Sequence, residues 1–156
     1  MLTNNKYDRL CKIARKALNC SDFKYKVGSV IFKKSRIISS GFNLSKKTHP
    51  WLKRIFKHST IHSEVMSVLK VIHFSDMLKD SDIFVYREAK VNGAIVPRMA
   101  KPCAMCVTVL YEVGINRAFW STNISGFIDC AKVSDLYKNI DKKELFLNNC
   151  KPGTVN

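Results

Sequence analysis

The sequence predicts an α/β layered fold, with residues 1–156 forming one domain. Two observations carry this expectation. Segments with helical and strand-like hydrophobic periods alternate along the chain, and 156 residues with 46% hydrophobic and 25% charged side chains suit one ordinary domain with a single core. No internal repeat, linker or low-complexity tract breaks the pattern. The opening helix is read from Tyr7, Leu10, Ile13, Ala14, Ala17 and Leu18, which share one helical face, with Asn4 or Asn5 as its expected cap. After Asp22 the period becomes strand-like over Lys26–Phe32 and again over Ser35–Phe42. With only Lys33 and Lys34 between them, these runs predict an antiparallel hairpin.

Residues 43–59 lack a clean period and contain His49-Pro50, so they are expected to be a loop with a helical turn near Trp51–Phe56. Ile61, Val65, Val68, Leu69 and Ile72 mark a second helix, and Ile83–Tyr86 a strand. Val91-Asn92-Gly93-Ala94 reads as a turn within an excursion reaching Lys101. Pro102 is placed to open a third helix, with Val107, Leu110 and Tyr111 on its face and Gly114 at its end. Arg117–Ser121 reads as a strand, Phe127–Val133 as another, and Ser134–Asn148 as a terminal helix.

No apolar run approaches the roughly 20 residues that span a bilayer, and Met1–Lys6 leads into no signal-type stretch. The expectation is a cytoplasmic protein without membrane attachment. In a reducing compartment six cysteines do not make a disulfide framework, so the close pair Cys103 and Cys106 reads as metal-binding or catalytic. The net charge is +15. From Lys24 to Lys57 there are ten basic residues (Lys24, Lys26, Lys33, Lys34, Arg36, Lys46, Lys47, Lys53, Arg54, Lys57) and no acidic one. Such a field attracts phosphates, on a nucleotide or along a single-stranded nucleic acid; the blander alternative is a solvated lysine-rich surface.

The chemistry lies in His62-Ser63-Glu64 and in Pro102-Cys103-Ala104-Met105-Cys106, each opening a helix. One imidazole and two thiols supply three Zn²⁺ ligands, and a catalytic zinc keeps a fourth position for water, whereas a structural site wants a fourth side chain. The other candidates for that role, His49, His58 and Cys130, have no matching short spacing. Cys103 and Cys106, three residues apart at a helix start, project to one side, where the unsatisfied N–H groups stabilise thiolates. Zinc lowers the pKa of its bound water from about 15.7 to about 7, making hydroxide available to attack an amidine carbon. Glu64, two residues beyond the ligand His62, is placed to shuttle the proton.

H-x-E followed by P-C-x-x-C is the known mark of zinc nucleobase deaminases, and over Val27–Thr122 the sequence resembles the cytidine and deoxycytidylate deaminase superfamily. The likeness includes the order of hairpin, His-bearing helix, strand, Cys-bearing helix and strand. It implies a three-layer α/β/α sandwich around a central mixed sheet of about five strands, bound Zn²⁺ and release of ammonia. It also implies that Asn43, after the second strand, holds the base or sugar. Ser63 and Pro102 beside the ligands and Trp51 complete the expected substrate contacts, with packing in the core as the alternative for Trp51. Arg87 and Arg98 can meet a phosphate or stay solvated. Homo-oligomers are common among resembling proteins, with no subunit number fixed here.

Two departures bear on the substrate. Nucleoside and deoxycytidylate deaminases usually carry Asn four residues after the ligand His, where this chain has Met66, as in tRNA adenosine deaminases. The segment Arg87–Lys101 also lengthens the interval between the motifs. The leading expectation is conversion of cytosine to uracil in a free cytosine nucleotide such as dCMP. The alternatives are deamination of cytosine or adenine in single-stranded DNA or RNA, and a non-catalytic zinc-stabilised nucleic-acid-binding module.

Overall fold

A computed structural model describes residues 2–45 and 60–141. Trp51, the expected turn at 51–56, and the distal part of the expected terminal helix lie outside the described residues. The elements are α1 (Asn4–Leu18), β1 (Val27–Lys33), β2 (Arg36–Phe42), α2 (Ser63–Leu69), a 3-10 segment (Ile72–Met77), β3 (Asp82–Val91), β4 (Ala94–Arg98), α3 (Ala104–Glu112), β5 (Arg117–Ser121), β6 (Ile128–Lys132) and α4 (Val133–Lys138).

The described strands form one six-stranded sheet in the order β2-β1-β3-β5-β6, with β4 paired to the far end of β3. The β3–β5 pair is parallel and the other pairs are antiparallel, so the sheet is mixed, as expected. Strict alternation divides two cores. Val30, Phe32, Phe84, Tyr86 and Phe119 face α1, while Ile31, Ile83, Val85, Ala118 and Trp120 face α2 and α3. Each strand turns every second side chain to one layer, which makes the three-layer sandwich. On the second face Tyr111 of α3 stacks on Tyr137 of α4, with ring centroids 4.1 Å apart.

Three sequence expectations need correction. Thr3, not Asn4 or Asn5, is the N-cap of α1, because both asparagines already have helical geometry. Pro102 does not open α3: Cys103 is its N-cap and Pro102 sits buried one residue earlier. The excursion to Lys101 contains a strand, since Asn92 (φ 48°) and Gly93 (φ 82°) make a tight turn that returns β4 along β3.

The described half of the basic stretch is not one patch. Lys24 and Lys26 precede β1, whereas Lys33, Lys34 and Arg36 gather at the turn beyond its other end, a strand's length of about 20 Å away. No helix among the described residues is long and apolar enough to cross a membrane.

Candidate metal centre and active site

The start of α2 is pressed against the sheet by small residues. A Cβ on Gly41 of β2 would lie 2.4 Å from the Ser63 carbonyl oxygen and 2.5 Å from the Ser67 nitrogen, so glycine permits this approach. From β1, Ser29 Oγ donates to the Ser63 carbonyl at 2.7 Å and lies 3.0 Å from Ser67 Oγ. Ser67 in turn donates to the Glu64 carbonyl at 2.8 Å. Ser29, Gly41 and Ser67 were not singled out from the sequence; small residues interrupting the apolar strands β1 and β2 and the helix α2 were the available signal.

Held this way, His62 is the N-cap of α2, and Cys103 is the N-cap of α3 with Cys106 in its first turn. His62 Nδ1 lies 3.5 Å from Cys103 Sγ and 3.3 Å from Cys106 Sγ. The three donor atoms all lie within 4.8 Å of one another. One nitrogen and two sulfurs at this separation are a donor set that suits zinc, and two helix N-termini bring their positive ends to the thiolates. Burial disfavours a charged His62 imidazole, yet the Cys103 thiolate outweighs it and pushes the pKa up to about 9.

Glu64 is buried beside this cluster, with 6% of its surface exposed. Burial raises its pKa above the usual carboxylate range, and Cys103 adds to the rise; His62 and the Ser63 hydroxyl oppose it. Ser63 Oγ donates to Glu64 Oε2 at 2.9 Å and fixes the carboxylate's rotamer. A buried carboxyl with raised proton affinity is the profile of a group that both accepts and returns a proton near neutral pH.

Residues 3–122 match the family model described as the cytidine and deoxycytidylate deaminase zinc-binding region. The chain belongs to this deaminase family. Its members are zinc-dependent enzymes, and the His62, Cys103 and Cys106 cluster fits the metal. No curated protein sequence matches the deaminase. Among solved structures, a cytidine deaminase from Burkholderia pseudomallei shares 17% identity at TM-score 0.59, covering 86% of this chain and 96% of that one. The dCMP deaminase of cyanophage S-TIM5 in apo form shares 16% identity at TM-score 0.56, covering 88% of this chain and 93% of the other. The same phage enzyme in complex with dCMP and dUMP shares 16% identity at TM-score 0.54, with 77% and 83% covered. These likenesses show the cytidine deaminase-like fold.

The remaining expected site residues of the deaminase fall in different places. Leu44 and Ile61 exchange backbone hydrogen bonds of 2.9 and 3.0 Å, so Asn43 lies across from His62 in that antiparallel bridge. Its side chain is buried and busy: Oδ1 accepts from Val27 N–H at 2.9 Å and Ser21 Oγ at 2.7 Å, and Nδ2 donates to the Tyr25 carbonyl at 2.8 Å. Asn43 therefore pins the start of β1 next to the cluster. Ser63 is fully buried and spends its hydroxyl on Glu64. Pro102 is buried against the start of α3, and Trp51 lies outside the described residues.

Proposed function

We propose that this deaminase converts cytosine to uracil in a free cytidine or deoxycytidine nucleotide, with dCMP the leading candidate. The metal is held by His62, Cys103 and Cys106. The observation that carries the reading is the meeting of one imidazole and two thiols beside a buried, oriented Glu64. Zinc bound there supplies an acidified water at neutral pH. The Glu64 carboxylate takes one proton from the attacking water and gives it to the ring nitrogen, then takes the second proton of that same oxygen and gives it to the amino group, which leaves as ammonia. Ser63 keeps Glu64 in place through this cycle, and Asn43, across from His62, is the proposed contact for base or sugar. The cyanophage relative, crystallised with dCMP and dUMP, supports a mononucleotide substrate. We place it inside the cell, the compartment in which a close cysteine pair serves a metal rather than a disulfide.

The net charge of +15 favours a second reading, deamination within single-stranded DNA or RNA. Activity on an oligonucleotide that falls steeply with salt, while that on a mononucleotide does not, would select it. The direct test is to incubate zinc-loaded protein with nucleosides, nucleotides and oligonucleotides and detect amino-to-oxo conversion by mass. Glu64→Gln should keep the metal and lower turnover by about 10²–10⁴-fold. Normal turnover by that variant would refute the assignment of Glu64.

A further inference from the structure

We infer that Arg87 and Arg98, facing each other across the β3–β4 ribbon, form a phosphate-binding subsite for the substrate, an inference that rests on the nucleotide reading above. Arg87 and Arg98 are register partners on antiparallel strands. Such partners share a face with Cβ atoms about 4.5–5.5 Å apart, and like charges placed so repel. The face is the one that carries the metal cluster. Along β3, Ile83 and Val85 pack with α2 and α3, Tyr86 packs with α1, and Glu88 reaches Arg15 of α1 at 2.9 Å, so alternation turns Arg87 toward the cluster.

Among the described residues no carboxylate relieves the pair. The two acidic residues of β3 are already engaged, Asp82 with Arg117 at 2.7 Å and Glu88 with Arg15, and among the described residues neither Arg87 nor Arg98 forms an ion pair. Donors on this face also lack acceptors. Arg87 Nε is buried without a hydrogen-bond partner, and so is Nε1 of Trp120, the register partner of Val85, only 5% exposed. Two repelling cations and the orphaned Arg87 Nε–H are a cost that an anion bound at the pair removes.

The pair is anchored between the segments bearing the ligands. The Arg87 guanidinium stacks over the Tyr25 ring at 5.0 Å, and the Tyr25 carbonyl accepts from Asn43, which lies across from His62. Ser121 Oγ accepts from the Arg87 backbone N–H at 3.1 Å and donates to the Arg98 carbonyl at 2.7 Å; five residues after Arg98 comes Cys103. Two guanidiniums held by backbone ties and a ring stack are pre-organised for the paired N–H bonds that a phosphate accepts. The 5′-phosphate of a mononucleotide and the phosphodiester of an oligonucleotide offer the same chemistry.

The test uses the zinc-loaded full chain and its Arg87→Gln and Arg98→Gln variants. In thermal melts at fixed ionic strength, inorganic phosphate should raise the midpoint of the wild type and not of either variant. Arg98→Gln should also melt higher than wild type when phosphate is absent, because repulsion is relieved. Losing a charged hydrogen bond costs about ten- to a hundredfold. The ratio of kcat/KM for dCMP over deoxycytidine should therefore fall by that factor in each variant, if the 5′-phosphate is the ligand. A fall confined to an oligodeoxynucleotide with a 5′-hydroxyl would instead assign the subsite to a phosphodiester. Equal phosphate stabilisation in all three proteins, with unchanged selectivity on both substrates, would overturn the subsite. Should wild-type protein turn over none of these substrates, the nucleotide reading fails, and the phosphate melts still decide whether the subsite exists.

Discussion

Replacing Gly41 by alanine tests how the active site is positioned. The added methyl would sit 2.4 Å from the Ser63 carbonyl oxygen and 2.5 Å from the Ser67 nitrogen, where ordinary contact begins at 3.4 Å. Both are backbone atoms of α2, so the helix must retreat by about 1 Å, carrying His62 and Glu64 away from Cys103 and Cys106. Overpacking of this kind costs about 1–3 kcal/mol of stability, and a misplacement of about 1 Å can cost roughly 10²-fold in turnover. Gly28→Ala is the matched control. Its Cβ would meet the Ala14 carbonyl oxygen of α1 at 2.2 Å, an equal clash on the opposite face of the sheet. The assay pairs melting curves with zinc content and kcat at a temperature where both variants are folded. Gly41→Ala should lose metal occupancy and turnover together, whereas Gly28→Ala should lose stability alone. Turnover by Gly41→Ala within about twofold of wild type would refute the claim that this close approach positions the site.

Further outcomes follow from the same geometry. Ser63→Ala removes the hydroxyl that donates to Glu64 Oε2 at 2.9 Å and holds its pKa down. The Glu64 pKa should therefore rise further, moving the acid limb of the pH–rate profile to higher pH and lowering kcat about tenfold. His62 in the metal-free protein keeps its proton up to a pKa of about 9, so at neutral pH the metal must displace it. Zinc affinity should therefore rise by at least about tenfold per pH unit as the pH climbs toward 9; competition against a chelator across about pH 6–9 measures it, and a flat profile would contradict it. Asn43→Ala removes the acceptor of Val27 N–H and Ser21 Oγ. It should cost about 1–3 kcal/mol, read as a lower melting midpoint, in addition to any loss of substrate affinity.

The sequence made legible whatever repeated with a period or clustered as a motif. The α1 stripe, the β1–β2 hairpin and the strands β3 and β5 appear where the apolar pattern put them, because those side chains face one of two well-defined cores. Strand β4 was missed for the converse reason. Its Ile95 is 63% exposed and Pro97 lies on a single-sided ribbon, so burial imposed no alternation that could be read. The candidate ligand trio was visible through its spacing together with the family resemblance that this spacing carries. The hydrogen bonds joining Ser29, Ser63, Ser67 and Glu64 were not, because they link residues 34 and 38 positions apart as well as near neighbours, and serine carries no periodic signal. The split within the described half of the basic stretch was equally hidden, since only the extension of β1 separates Lys24 and Lys26 from Lys33, Lys34 and Arg36.

Zinc-edge X-ray absorption on the purified protein tests the central claim most directly. The geometry predicts one zinc per chain bound by two sulfurs at about 2.3 Å, one imidazole nitrogen at about 2.0–2.1 Å and one exchangeable oxygen. A third sulfur or a second imidazole closing the sphere, or a spectrum unchanged by His62→Ala, would contradict it.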